Sequence, residues 1–417
     1  MTRPSATSVF YGLELVLSLP SYVLVAVYLV TEVGLSPLQL VLVGTVMEVS
    51  VFLFEVPTGA VADTYGRKLS LIVSFVIQGA AWMLVGAVPS FWVILFAWAL
   101  WGFGATFMSG AFEAWITDEV GADHIGPVLM RGTRISYLGA LFGLVLGVAV
   151  AAFDLRLAIV LGGAAIVVAG LACIVLMPET GFQPRLRAAG RPPVQELAVT
   201  ARAGARFARG RPLVLLLLAV GLFAGASSES FDRLWEAHFI RDVGLPGIGS
   251  LDPIWWFGLF GAGMLLAGLV ASTIMIRRFE RRQNLALARV LLILTLIEAV
   301  ALIVFGLAGG IAVAVTALLV TQLARSLVRP VYMTWLNQQI TDSSVRATVI
   351  SIAGQADAVG EAGGGPLLGV VGNLFGIRAA LVAGGLVLSP AVALYARALR
   401  HGGRGPELEE AAAAQSV

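Results

Sequence analysis

The chain has one lysine, one cysteine and three histidines in 417 residues, and each scarcity closes a class of mechanism. Its lysine, Lys68, follows Arg67 and not a glycine, so the phosphate-cradling sequence of an ATP-driven pump is missing. Cys173 stands alone in an apolar run, where it reads as a small buried hydrophobe. No intrachain disulfide can form, and the redox compartment is not legible. His124, His238 and His401 are scattered without metal-ligand spacing and read as solvated or interfacial side chains. Neither a His-Glu-x-x-His helix nor a Gly-x-Ser-x-Gly turn occurs, so no enzyme, metal or cofactor is expected. Charge is scarce too. Only 12% of residues are charged against about 25% in ordinary soluble chains, while 59% are apolar. A net charge of +2 offers no basic field for nucleic acid.

What the chain has in abundance is long apolar runs. Stretches of about 20 such residues, bounded by charges or Gly/Pro turns, predict twelve membrane-spanning helices. They lie near 9–31, 37–62, 69–88, 91–117, 131–152 and 156–177, then 213–240, 251–276, 288–307, 311–336, 347–371 and 378–398. The expectation is an all-α polytopic membrane protein of two pseudo-symmetric six-helix bundles, 1–177 and 213–398. A cytoplasmic linker at 178–212 contains a basic amphipathic helix over Val194–Phe207 suited to the lipid surface, and a tail follows at 399–417. The first run lacks a small-residue cleavage site and should stay as a helix. With the amino terminus inside, 21 of the 27 Arg and Lys fall on the cytoplasmic side, which predicts that both termini are cytoplasmic. Leu129-Met-Arg131-Gly-Thr133 is echoed by Ser344-Val-Arg346-Ala-Thr348 at an offset of 215, a faint parallel repeat of six helices.

Charges inside the spans cost at least ~2.5 kcal/mol each on insertion scales, so their placement is informative. Glu14 lies in the first run, Glu48 and Glu55 in the second, and Glu113 in the fourth. The seventh holds Glu229, Asp232, Arg233 and Glu236, the tenth Arg325 and Arg329, and the eleventh Asp357 and Glu361. The ninth has only Glu298, for which the sequence gives no account beyond facing its own bundle or being protonated. Glu229 and Arg233, four apart, are placed to neutralise each other. The arginines of the tenth run and the carboxylates of the eleventh could form one buried set, either a structural ion network or part of a transport path. Desolvation disfavours a charged carboxyl, so one with no basic residue a turn away can carry a proton. Glu14, Glu48 and Asp232 fit best. Trp98, Trp101 and Phe103 form an aromatic wall, suited to a large hydrophobic or aromatic ligand or simply to core packing.

Between the second and third runs stands Gly59-Ala-Val-Ala-Asp63-Thr-Tyr-Gly66-Arg67-Lys68-Leu-Ser-Leu71. This resembles the signature loop of the major facilitator superfamily, matching at Gly59, Asp63, Gly66, Arg67, Lys68 and Leu71 and departing at Thr64. The likeness extends over nearly the whole chain and is strongest to bacterial drug and metabolite exporters. It implies a fold in which the third, sixth, ninth and twelfth helices face lipid and the others line a central cavity. The buried charges follow that division except for Glu298.

Ala114-Trp-Ile-Thr-Asp118 is similar to the family's alanine-to-aspartate pattern, whose implied role is to pair with the loop arginine. Asp63, Arg67 and Asp118 are therefore the expected latch. Glycine repeats at Gly139, Gly143 and Gly147, at Gly261 and Gly268, and at Gly360, Gly364 and Gly369 suit either sliding or static close packing. No Gly-Pro pair interrupts the fifth helix and Trp98 replaces the family's arginine in the fourth, departures that weaken an inference of transport direction.

The resemblance implies a proton-driven antiporter working by alternating access in a bacterial inner membrane, a monomer whose partners are protons, lipids and a small substrate. Substrate is expected among Glu48, Trp98, Trp101, Asp232, Arg325 and Asp357. Two alternatives remain: uptake of an organic anion, motivated by Arg325 and Arg329, and a transport-inactive sensor on the same fold.

Overall fold

A computed structural model describes residues 4–182, 212–247, 252–278, 284–338, 340 and 343–400. The predicted amphipathic linker helix, the basic turn near Arg281 and the tail beyond residue 400 lie outside the described residues. Among the described residues all regular structure is helical, and each of the twelve expected runs is a helix or a pair of helices.

The first crossing consists of Ala6–Leu17 and Tyr22–Thr31. The second is Pro37–Tyr65, the third Arg67–Ala87, the fourth Phe91–Met108 with Ala111–Val120, the fifth Ile125–Ala151 and the sixth Leu155–Leu176. The seventh, Pro212–His238, is prolonged by a π turn, Phe239–Val243. After it come Ile254–Arg278, Asn284–Leu307, Ile311–Gln338, Ser343–Phe375 and the pair Ile377–Val387 and Ser389–Arg400. Eleven of these crossings are long and apolar enough to span a bilayer. The eleventh misses that measure because Gln355, Asp357, Glu361 and the run Gly363 to Gly365 dilute its middle. Phe153, Trp92 and Val175 stand out from the helices as lipid-exposed side chains do.

The chain forms two compact units: Met1–Leu197 with Leu245–Leu265, and Ala198–Gly244 with Leu266–Val417. The start of the eighth crossing thus belongs to the first unit, where Gly258 and Gly261 lie against Val148 and Leu144 of the fifth. Phe75, Trp115, Ile116 and Cys173 are central to one core, and Leu217, Val331, Trp335 and Tyr395 to the other. Small residues set the closest helix contacts, since lipid offers apolar side chains as good a home as a partner helix does. A Cβ on Gly79 or on Gly163 would come 2.6 Å from the other's carbonyl oxygen, which locks the third crossing to the sixth.

Three crossings expected to be continuous are broken: the first, the fourth and, at Leu388, the twelfth. In the first, Ser18-Leu-Pro20-Ser21 separates the halves, because Pro20 has no N–H to donate and clashes with the preceding turn. In the fourth, Ser109 and Gly110 interrupt the run, Gly110 taking φ +70. Discontinuous helices leave backbone groups and short polar side chains inside the span, where binding sites of membrane transporters are built.

Candidate functional site

The signature loop is shorter than a hairpin. The second crossing runs through Asp63 to Tyr65 and the third begins at Arg67, so Gly66 alone makes the connection, at φ 119 and ψ 147. Arg67 Nη1 meets Asp63 Oδ1 at 2.7 Å, and Arg67 Nε lies 4.0 Å from Asp118 Oδ2. All three residues of the expected latch are therefore together, with Asp63 the nearer partner. Gly59 lies one turn before Asp63 with open space around it.

Lys68 bridges to another element. Its Nζ donates to the carbonyls of Ile174 and Met177 at the carboxyl end of the sixth crossing, where a cation opposes the helix dipole. Its backbone N–H donates to Glu179 Oε1 at 2.7 Å, so Glu179 supplies the anion at the amino end of the third crossing. Glu119 accepts from Thr180 Oγ1 and Gly181 N, and Trp115 Nε1 donates to Pro178 O. Residues 178–181 are thus built into the signature-loop face. The sequence reading assigned no role to Glu119 or Glu179. Their position, Glu119 in the last turn of the fourth crossing and Glu179 just past the sixth, both on the basic side of the chain, was the available signal.

At two of the helix breaks, carboxyls meet serines. Ser18 Oγ donates to the Glu14 main-chain carbonyl at 2.7 Å and lies 2.6 Å from Ser136 Oγ, and Ser136 in turn lies near enough to the Glu14 carboxyl to favour its charged form. Ser109 Oγ donates to Glu55 Oε1 at 3.0 Å at the break of the fourth crossing. Glu113 opens the second half of that crossing and acts electrostatically on Glu14. Glu48 is half-buried two turns before Glu55. No acid–arginine pair among the described residues involves Glu14 or Glu55, so the first unit concentrates carboxyls without pairing these two to a base.

The aromatic wall is divided. Trp98 and Trp101 join Tyr22 and Trp82 in one cluster, with ring centroids 4.8–6.2 Å apart. Phe103 instead packs on Phe54 and Phe107. Trp98 is only 4% exposed and its Nε1 has no hydrogen-bond partner, while the space between Trp82, Trp98 and Trp101 is too small for a water molecule. Tyr22 remains half exposed.

In the second unit, Arg325 grips Asp232 with two hydrogen bonds of 2.6 and 2.7 Å. This corrects the expectation that Asp232 has no basic partner. The tenth and eleventh barely touch despite being neighbours in sequence; the tenth packs on the ninth, and the seventh on the eleventh. The same packing accounts for Glu298, whose Oε1 is 3.8 Å from Arg325 Nε, so it faces its own bundle. The Phe231 ring lies 5.1 Å from the Arg325 guanidinium carbon, within cation–π range. Asp357 feels the charges of Arg329 and Arg325, and Glu361 acts on Arg325, while the Arg329 side chain stays exposed. Arg233 Nε reaches Glu229 Oε2 at 3.5 Å, one turn away.

Two buried groups had been given no role, Glu236 although it was placed inside the seventh run. Glu236 is 3% exposed and its Oε2 has no hydrogen-bond partner. His238, expected to be solvated or interfacial, is fully buried, with Nδ1 2.9 Å from Asp242 Oδ2 and Nε2 2.9 Å from the Phe305 carbonyl. The acid four residues after the histidine was the legible clue.

Twelve helical crossings, three of them broken, and carboxyls collected inside the spans define the class as a polytopic membrane transporter. Comparison with known proteins agrees. The sequence pattern of the Major Facilitator Superfamily matches residues 12–356, and the chain belongs to that family. It is 25% identical over 402 residues to the uncharacterized MFS-type transporter YxaM of Bacillus subtilis (strain 168), covering 93% of this chain and 94% of that protein. Its fold is similar to the nucleoside transporter NupG, with TM-score 0.74 and 11% identity over 94% of this chain and 97% of that one. It is also similar to a peptide transporter POT in complex with sulfate, with TM-score 0.72 and 16% identity over 96% and 95% of the two chains.

Proposed function

We propose that this transporter is a proton-coupled antiporter of the bacterial cell membrane that expels a hydrophobic or aromatic small molecule by alternating access, with both termini in the cytoplasm. The observation that carries the reading is the setting of the Glu14 carboxyl beside the Ser136 hydroxyl at the break of the first crossing, where Ser18 ties Ser136 to the Glu14 main-chain carbonyl. A hydroxyl can donate to a carboxylate and accept from a carboxylic acid, so it satisfies Glu14 in both protonation states. An arginine can only donate and holds its partner ionised. Asp232, clamped by Arg325, is therefore an organising charge, and Glu14, with Glu48 and Glu55 on the second crossing, supplies the carriers. The uptake of an organic anion has less support, because Arg325 is already committed to Asp232 and Glu298 and only Arg329 stands exposed.

Reconstituted vesicles with an imposed pH gradient test this against a panel of lipophilic cations and organic anions. Glu14→Gln is expected to lose gradient-driven accumulation at least tenfold while retaining exchange of substrate for substrate, because the amide can still bond Ser136 but carries no proton. Undiminished uphill transport in Glu14→Gln and in Glu48→Gln would remove the coupling scheme.

A further inference from the structure

We infer that His238 and Asp242 form an exchangeable proton-binding site at the carboxyl end of the seventh crossing, and that the bound proton holds the π turn onto the bundle. The site goes beyond the carboxyl carriers proposed above and lies wholly within the second unit.

The two hydrogen-bond partners of the ring fix its proton content. A carbonyl oxygen can only accept, so Nε2, facing Phe305 O at 2.9 Å, carries a hydrogen. Nδ1 lies 2.9 Å from a carboxylate oxygen, and a hydrogen must sit between them, on the ring or on the acid. The pair thus holds one proton more than a neutral imidazole beside a carboxylate. Without it, a bare nitrogen lone pair would face a carboxylate where the imidazole is 0% exposed to solvent. That arrangement repels, so the contact and the proton come and go together.

The groups that meet the pair from the elements packed around it are uncharged or engaged elsewhere. From the ninth crossing the ring meets the Phe305 carbonyl and the Phe305 ring, with centroids 4.9 Å apart. From the twelfth, Arg378 Nη2 donates to the Asp242 backbone carbonyl at 3.0 Å and leaves the carboxylate to the histidine. The tenth crossing touches the π turn, but its charge, Arg325, is engaged at Asp232, six residues earlier and about 9 Å along the helix. The eleventh brings Asp357 beside Gly225, about 20 Å along. On the seventh itself, Glu236 lies two residues from His238 and so nearly opposite it around the helix, and Arg241 is exposed on the π turn.

The first unit contains the same clasp in a form that needs no proton. Adding 210 to Tyr28 and Glu32 gives His238 and Asp242, close to the offset of the faint sequence repeat. Arg156, at the start of the sixth crossing as Arg378 is at the start of the twelfth, bonds the Glu32 carboxylate directly at 2.7 Å. Tyr28 is left with a buried hydroxyl lacking a hydrogen-bond partner. In the second unit the arginine has moved to the backbone and a histidine has taken the acid. A permanent ion pair has been replaced by a bond that exists only while a proton is bound. The replacement sits on a π turn, a rare element frequently found at functional sites.

Nitrogen-15 histidine labelling of the full-length protein in nanodiscs reads the site directly, since His124→Gln and His401→Gln leave one ring. The Nδ1 resonance of His238 is expected to move toward the bare-nitrogen position as pH is raised from 5 to 10. The thermal unfolding midpoint should fall in the same range, because the contact is lost as the proton leaves. In Asp242→Asn the amide N–H donates to a bare Nδ1, so the contact persists without a proton and neither step appears. A wild-type Nδ1 resonance unchanged across the range, in either position, overturns the site, as does the same titration in Asp242→Asn. Should that variant not fold, the wild-type titration alone decides.

Discussion

Arg325→Ala is expected to be among the most damaging single substitutions in the chain, lowering stability by about 2–4 kcal/mol and abolishing transport. Removing one partner of a buried ion pair costs ~3–5 kcal/mol because the other charge stays behind unpaired. Here two carboxylates are stranded, Asp232 at 2.6 Å and Glu298 at 3.8 Å. Partial exposure of the Asp232 side chain, 43%, pulls the figure down. Phe231 also loses the cation over its ring. Asp232→Asn should be milder, since Arg325 keeps Glu298 and the amide oxygen can still accept one of its N–H groups. Arg325→Lys should fall between, retaining the charge but losing the two-pronged grip. Unfolding in increasing denaturing detergent ranks the three. Equal loss in Asp232→Asn and Arg325→Ala would show that Glu298 does not share the arginine.

That ranking depends on contacts the sequence could not supply, although the crossings themselves were plain in it. Hydropathy is a property of each run, and it located twelve. The signature loop was legible because glycine and aspartate at fixed spacing serve local backbone geometry and an i,i+4 ion pair. Partner choice across helices depends on which crossings pack together, and neighbours along the chain were a poor guide. Gly360 and Gly364 bring the eleventh crossing against Leu222 and Ala226 of the seventh, and the tenth turns to the ninth. Glu298 looked anomalous only while its helix was read as uniformly lipid-facing. Pro20 and the Ser109-Gly110 step were visible as breakers, yet a long apolar average hid them. The reassigned Asp232 and the buried His238 share one cause, since a single helix shows what lies a turn away along itself and nothing of what faces it.

Gly66→Ala should be nearly as severe as Arg325→Ala, and for two separable reasons. At φ 119 and ψ 147 the residue occupies a region essentially reserved for glycine, which costs an L side chain about 1–3 kcal/mol. A Cβ there would also stand 3.0 and 3.1 Å from the two Glu179 carboxylate oxygens, pressing out the acid that caps the third crossing. Glu179→Gln separates the terms, keeping the backbone as it is and weakening only the charge at the helix end, worth about 0.3–1 kcal/mol. Thermal unfolding should therefore show a small loss in Glu179→Gln, a large one in Gly66→Ala, and part of that large loss recovered when Gly66→Ala is placed in a Glu179→Ala background. A Glu179→Ala background that restores Gly66→Ala to full stability would mean that crowding alone is at work; a background that restores nothing would place the whole cost in the backbone. The intermediate result is expected, because the single-residue connection between the second and third crossings leaves no neighbouring residue to absorb the changed φ.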